Sequence, residues 1–258
     1  MWLTLIAMMV TFSEDKLLDV ESARALVQTK LKQLGIASAP VQHLENGEFK
    51  SVLAGAQVFL LRYPRFPVAR IPPAPLSSNN LFFVSPSGAV DIVSDAGQLR
   101  GWFQKHVHAD SEKAAAQAVR AWLILAGELR QDGFYQFRLV SESVRVAKTA
   151  QGLLANARLE VVPKAGNEGF LAAELLFDPK GRLIQVREDV QLKPGIRPIC
   201  QATKLLDPDP IVRRMAERDL LILGRLAKPY LDEQRQQADP ALRRAIDQLW
   251  QRIEQEER

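Results

Sequence analysis

The chain has 258 residues, 47% of them apolar and 25% charged, with 34 basic side chains against 30 acidic ones. That apolar content supports one large domain or two modest ones and excludes a disordered chain. The near balance of charge argues against a polyelectrolyte partner, and the single cysteine, Cys200, excludes an intramolecular disulfide and a cysteine-based zinc cluster.

At the amino end, the apolar run from Trp2 to Phe12 suits the core of a signal peptide, with Thr11 and Ser13 as small residues before a cut. Against this, no Lys or Arg precedes the run and no A-x-A pattern follows it. Residues 1–13 are therefore read as a signal segment or a first strand, and an exported or periplasmic location stands level with a cytoplasmic one. The run is too short to span a bilayer as a helix, so no transmembrane span is expected.

Val20, Ala23, Val27, Leu31 and Leu34 recur at three- and four-residue steps, which predicts a helix begun by Asp19 and stopped by Gly35. From Glu48 the pattern becomes short β-prone runs: AQVFLLRY, NLFFV and AVDIV. The last two are joined by SPSG, so residues 81–94 read as a hairpin. DAGQLRGWFQKHV then predicts a short helix and closes a first helix-plus-sheet half over residues 14–108. A second half covers residues 109–198. It opens with an alanine- and leucine-rich helix over residues 111–129 and continues with four candidate strands: YQFRLVSESVRV, ANARLEVVP, FLAAELLF and RLIQVRED.

LFFVSPSGAVDIV and ELLFDPKGRLIQV align Pro86 with Pro179 and Gly88 with Gly181, each pair 93 positions apart. A duplicated unit accounts for this, and so does the general demand of hairpin turns for Pro and Gly. In element order, residues 19–192 resemble cystatin-like or PepSY-type modules, which implies a binding or inhibitory role.

Residues 199–258 read as a helical tail. Asp209-Pro210 and Asp239-Pro240 each combine a capping carboxylate with proline at the first helical position. Behind them Val212, Met215, Ala216, Leu220 and Leu223 form one apolar stripe, and Leu242, Ile246, Leu249, Trp250 and Ile253 form another. DPDPIVRRMAERDLLILGRLAKPYL resembles the short HEAT-like repeats over residues 205–253, a family whose stacked units bind other proteins. The whole chain also looks like uncharacterised planctomycete-type bacterial proteins, a resemblance that brings no activity. About one and a half units are too few to bury their own faces, so the tail is expected to dock on the sheet of residues 130–192.

Three stretches invite chemistry. HVHADS resembles the H-x-H-x-D-H metal motif of the metallo-β-lactamase superfamily through His106, His108 and Asp110, with Ser111 where the closing histidine belongs and only His43 elsewhere. Cys200 lies far in sequence from every histidine and reads as a small hydrophobe rather than a nucleophile. In RYPRFPVARIPPAP, Arg62, Arg65 and Arg70 alternate with rings and prolines, but three arginines release few counterions and would hold nucleic acid weakly. Phosphate-loop, dinucleotide-binding and nucleophile-elbow patterns are missing. The expectation is an α+β protein with a helical tail: a non-enzymatic binding or scaffold protein that needs no cofactor and holds another protein. A metal-dependent hydrolase using His106, His108 and Asp110 is the alternative, and weak nucleic-acid binding through Arg62 to Arg70 is a second.

Overall fold

The computed structural model describes residues 18–37, 39–63, 71–133, 135–162, 167–193 and 202–256, so the expectations for residues 1–13, Arg65, Arg70 and Cys200 lie outside the described residues. Helix α1 spans Val20–Gln33, with the Asp19 carboxylate accepting from the Ser22 amide at 2.9 Å and Ala23, Val27 and Leu31 buried. A two-residue strand β1, Gln42–His43, precedes helix α2, Gly47–Val52. The stretch after Glu48 thus begins as a helix rather than a strand. Asn46 accepts from the Glu48 amide, and Phe49, Val52 and Leu53 are spaced to bury one helical face.

Strands β2 (Gln57–Arg62), β3 (Asn79–Val84) and β4 (Val90–Val93) complete a first antiparallel sheet in the order β1-β2-β3-β4. Phe59, Leu61, Phe82 and Val84 face α1, while Val58, Leu60, Leu81, Phe83 and Val93 face the opposite core. Covering both faces explains why every residue of β3 is buried.

Helices α3 (Ala96–His106) and α4 (Glu112–Arg130) follow. The second sheet contains β5 (Gln136–Leu139), β6 (Arg145–Thr149), β7 (Gly152–Val162), β8 (Glu168–Phe177) and β9 (Leu183–Lys193). The expected single strand over residues 135–146 is two strands parted by a 3₁₀ turn at Ser141–Ser143. Both pair with the eleven-residue β7, β5 against Leu159–Val162 and β6 against Gly152–Asn156. Ser143 holds the break: its hydroxyl donates to the Val140 carbonyl at 2.6 Å and accepts from the Arg158 amide at 2.9 Å.

Helix α4 packs against β3 on one side and β5 to β8 on the other. Small residues let both sheets come close: Ala115, Ala118, Ala121 and Ala126 are fully or almost fully buried. At Gly127 an added Cβ would lie 3.0 Å from Leu159 and 3.1 Å from Phe137. Among the described residues no helix is long and apolar enough to cross a membrane.

The two Pro-Gly turns share one geometry. Ser85 and Asp178 each accept from the glycine amide three residues on (Gly88, Gly181), and each donates its own amide to the carbonyl four residues on (Ala89, Arg182). Each also accepts that fourth residue's amide on its side-chain oxygen, at 3.1 Å and 2.9 Å. Gly88 and Gly181 take φ of 83° and 77°, a left-handed conformation that costs glycine little.

A 3₁₀ turn at Ala202–Leu206 leads into α5 (Pro210–Leu223), a second 3₁₀ turn, α6 (Lys228–Gln237) and α7 (Pro240–Glu256). Asp209 accepts from the Ile211 amide at 2.7 Å, and Asp239 accepts from Ala241 and Leu242 at 2.8 and 2.9 Å, as their sequence context predicts. Ala202, Leu220, Ala227, Leu231, Leu242, Ile246, Leu249 and Ile253 form an interior made wholly of this segment's own residues. Among the described residues, the tail's buried apolar side chains close on one another. Two members of the expected stripes also differ. Met215 is 60% exposed, and Trp250 only borders the core, its indole donating to Glu254 at 2.8 Å while the Lys228 ammonium sits 5.1 Å from the ring centroid.

Candidate binding surfaces

His106, His108 and Asp110 leave the end of α3 and meet three different neighbours. The His106 ring stacks on Trp102 with centroids 4.6 Å apart, and its Nε2 lies 3.9 Å from Asp91. His108 forms an isolated antiparallel bridge with Arg182, and its ring covers Gly181 so closely that an added Cβ there would lie 2.7 Å from Cε1 and Nε2. Asp110 is exposed beside Ser111, which caps α4 through the Ala114 amide at 3.2 Å. Among the described residues, no three His, Cys, Asp or Glu side chains form a group able to hold a metal ion. The third histidine, His43, is remote from this segment in its bonding, its Nε2 sharing a hydrogen bond of 2.9 Å with Gln57.

Arg62, at the end of β2, forms an ion pair with Glu128 on α4. Burial pushes the Glu128 carboxyl above the usual glutamate range, and the Arg62 charge and hydrogen bond pull it partly back. One of the three arginines expected to face a partner is thus engaged within the fold.

Two hollows lie on the second half. A groove of about 570 Å³ runs between Asp110–Glu112, the β6–β7 hairpin and the turn at Asp178–Pro179. Three of its four charged side chains pair locally: Lys148 with Glu112 at 3.5 Å and Asp178 with Arg182 at 2.7 Å. Hydrogen bonds from the Arg182 amide first, then from its guanidinium and the Lys180 amide, hold the Asp178 carboxyl below its ordinary value. A second hollow, of about 370 Å³, sits on the sheet face away from α4, with Leu154 and Leu176 as its apolar lining and Glu174 opposite Arg187 in the β8–β9 register.

The tail presents a different surface. Ile211, Met215 and Ile222 are 57%, 60% and 51% exposed, and their spacing of four and seven residues places them on one face of α5. Beside them a groove of about 360 Å³ separates α5 from α7, lined by Arg214, Glu217, Arg218, Leu221, Ile222 and Arg252. Glu217 and Arg252 form an ion pair across it. Sequence reasoning missed this face because it placed Met215 in the core stripe. The signal was present as a second apolar periodicity on the same helix.

Compared with protein-family models, curated proteins and solved structures, the chain matches none of them.

Proposed function

We propose that this chain is a non-enzymatic binding protein that holds another protein through its carboxy-terminal helices. One observation carries the proposal: the segment completes its own interior with Leu220, Leu231, Ile246, Leu249 and Ile253, yet still presents Ile211, Met215 and Ile222 to solvent. Of the seven large apolar side chains exposed among the described residues, these three and Leu206 are tail residues, a concentration that scattered surface hydrophobes do not show. Fully burying an aliphatic side chain of this size contributes roughly 1.5–3 kcal/mol, so three half-exposed ones offer several kcal/mol to a partner before its ordering costs.

The finer fold is part of the proposal. Residues 19–193 form two copies of one helix-plus-sheet unit, a reading supported by the matched bonding of the Ser85–Ala89 and Asp178–Arg182 turns. The tail is a HEAT-like module, supported by the twin caps at Asp209 and Asp239.

Photo-crosslinking in the source cells tests the proposal. A photoreactive residue at position 215 should give a protein adduct of discrete mass, and one at the exposed turn position Lys180 should not. No adduct at 215, or indistinguishable adducts at both positions, overturns it.

A further inference from the structure

Resting on that reading, we infer that the partner element is an acidic amphipathic helix that lies along α5, with its carboxylates over the groove toward α7. The charge pattern selects it. No acidic side chain among the described residues pairs with Arg214 or Arg218, whereas Glu217, the one carboxylate in the groove, is taken by Arg252. The groove therefore keeps two uncompensated guanidinium groups next to an apolar ridge.

Positions 214 and 218 follow Ile211 and Met215 by three residues, so the arginines border the ridge on its groove side. Asp219, four residues after Met215, borders the other side. A helix whose apolar residues recur every three to four positions can set that stripe on Ile211, Met215 and Ile222 and a row of Glu or Asp over Arg214 and Arg218. Arginine forks suit carboxylates in this role, and opposite charge fixes the orientation as well as adding affinity.

Shape and sign both favour a peptide over an anionic lipid surface. Lipid headgroups would meet Asp219 and Glu217 as well as the arginines, and a plane cannot enter a groove with Leu221 in its wall. A helix can satisfy one basic border and leave the acidic one to solvent.

The test uses the full chain and a labelled synthetic peptide of about 18 residues, helical by design, with leucines at three- and four-residue spacing and glutamates along one flank. A second peptide carries lysine for each glutamate. Fluorescence anisotropy should show the glutamate peptide binding about tenfold tighter or more, since attraction is exchanged for repulsion at two arginines. The double variant Arg214→Glu/Arg218→Glu, whose changes are both at exposed positions, should reverse the preference. An unchanged circular dichroism spectrum confirms that the variant is folded.

Equal binding of both peptides, abolished by Ile211→Ser/Ile222→Ser, overturns the acidic assignment while leaving protein binding in place. A preference that survives charge reversal overturns it as well. So does binding to phosphatidylcholine:phosphatidylglycerol vesicles without peptide preference, or self-association lost in Ile222→Ser that the glutamate peptide does not compete. If neither peptide binds but crosslinking at position 215 gives its adduct, this inference fails alone. If both experiments are blank, the proposed function fails with it.

Discussion

At Arg62 and Glu128 a single ion pair decides what one partly buried carboxylate contributes. Desolvation raises the Glu128 carboxyl above its ordinary value of 4.5, so the folded chain holds that proton more tightly than the unfolded chain does. Below the ordinary value the resulting stability is fully present; as pH rises through the raised folded value it is lost. Urea denaturation should therefore show the native chain losing stability relative to Glu128→Gln between about pH 4.5 and neutrality, a divergence in the sense that linkage requires. Arg62→Ala removes the compensating charge and should cost about 1–3 kcal/mol at pH 7 and little at pH 4, because only the ionised carboxylate needs a partner. Asp239 acts more locally. It accepts two amides at the start of α7, and Asp239→Ala should cost about 1 kcal/mol in the same assay. The Asp239 cap was legible because capping depends on residues within one turn. The role of Arg62 was not, since its partner lies 66 positions away and both residues are ordinary surface types in sequence.

Among the elements, helices α1, α4, α5 and α7 follow from three- and four-residue apolar spacing, and the hairpins from SPSG and DPKG. What the spacing hid is where an element meets its neighbours. The strand over residues 135–146 breaks in two because β7 is long enough to take both pieces, a fact located in β7 rather than in the broken strand. In the same way α5 carries two apolar stripes, and only the packing of α7 and the two 3₁₀ turns against it decides which becomes interior. The stability of α7 should follow its observed burial. Ile246→Ala, at a side chain 2% exposed, should cost about 2–5 kcal/mol by thermal or urea unfolding, and Trp250→Ala less than a fully buried ring would because it only borders the core. Glycine in the second sheet follows the same logic at closer range. A Cβ on Gly169 would lie 1.8 Å from the Gln191 carbonyl oxygen, so β8 and β9 would have to part. Gly169→Ala should therefore destabilise more than Gly181→Ala, whose neighbour is the exposed ring of His108.

For the whole molecule, the helical tail and the sheet-bearing part differ in how they close their interiors. The tail's core uses only its own residues, so removing residues 202–258 should leave the melting temperature of the remainder within about 2 °C by calorimetry, since few apolar contacts are lost from it. A large drop, or aggregation of the truncated chain, would mean that the two parts cover each other. The candidate site was less legible than the fold. Sequence motifs drew attention to His106, His108 and Asp110, while the most exposed apolar cluster lay in a helix whose pattern looked fully spent on its core. The sheet-bearing part closes differently, because α4 is the floor of one sheet and the ceiling of the other. The first sheet closes one face on α1 by itself, but its other face and the second sheet share an interior that stays open until that helix arrives. Amide hydrogens along Ala115–Ala126 should then exchange with deuterium only when the entire sheet-bearing part opens, and be the slowest in the molecule. A ribosome would have to deliver about half of the chain before the α4-facing side of either sheet could become protected, which places the completion of that shared core, though not of the α1 core, late in synthesis.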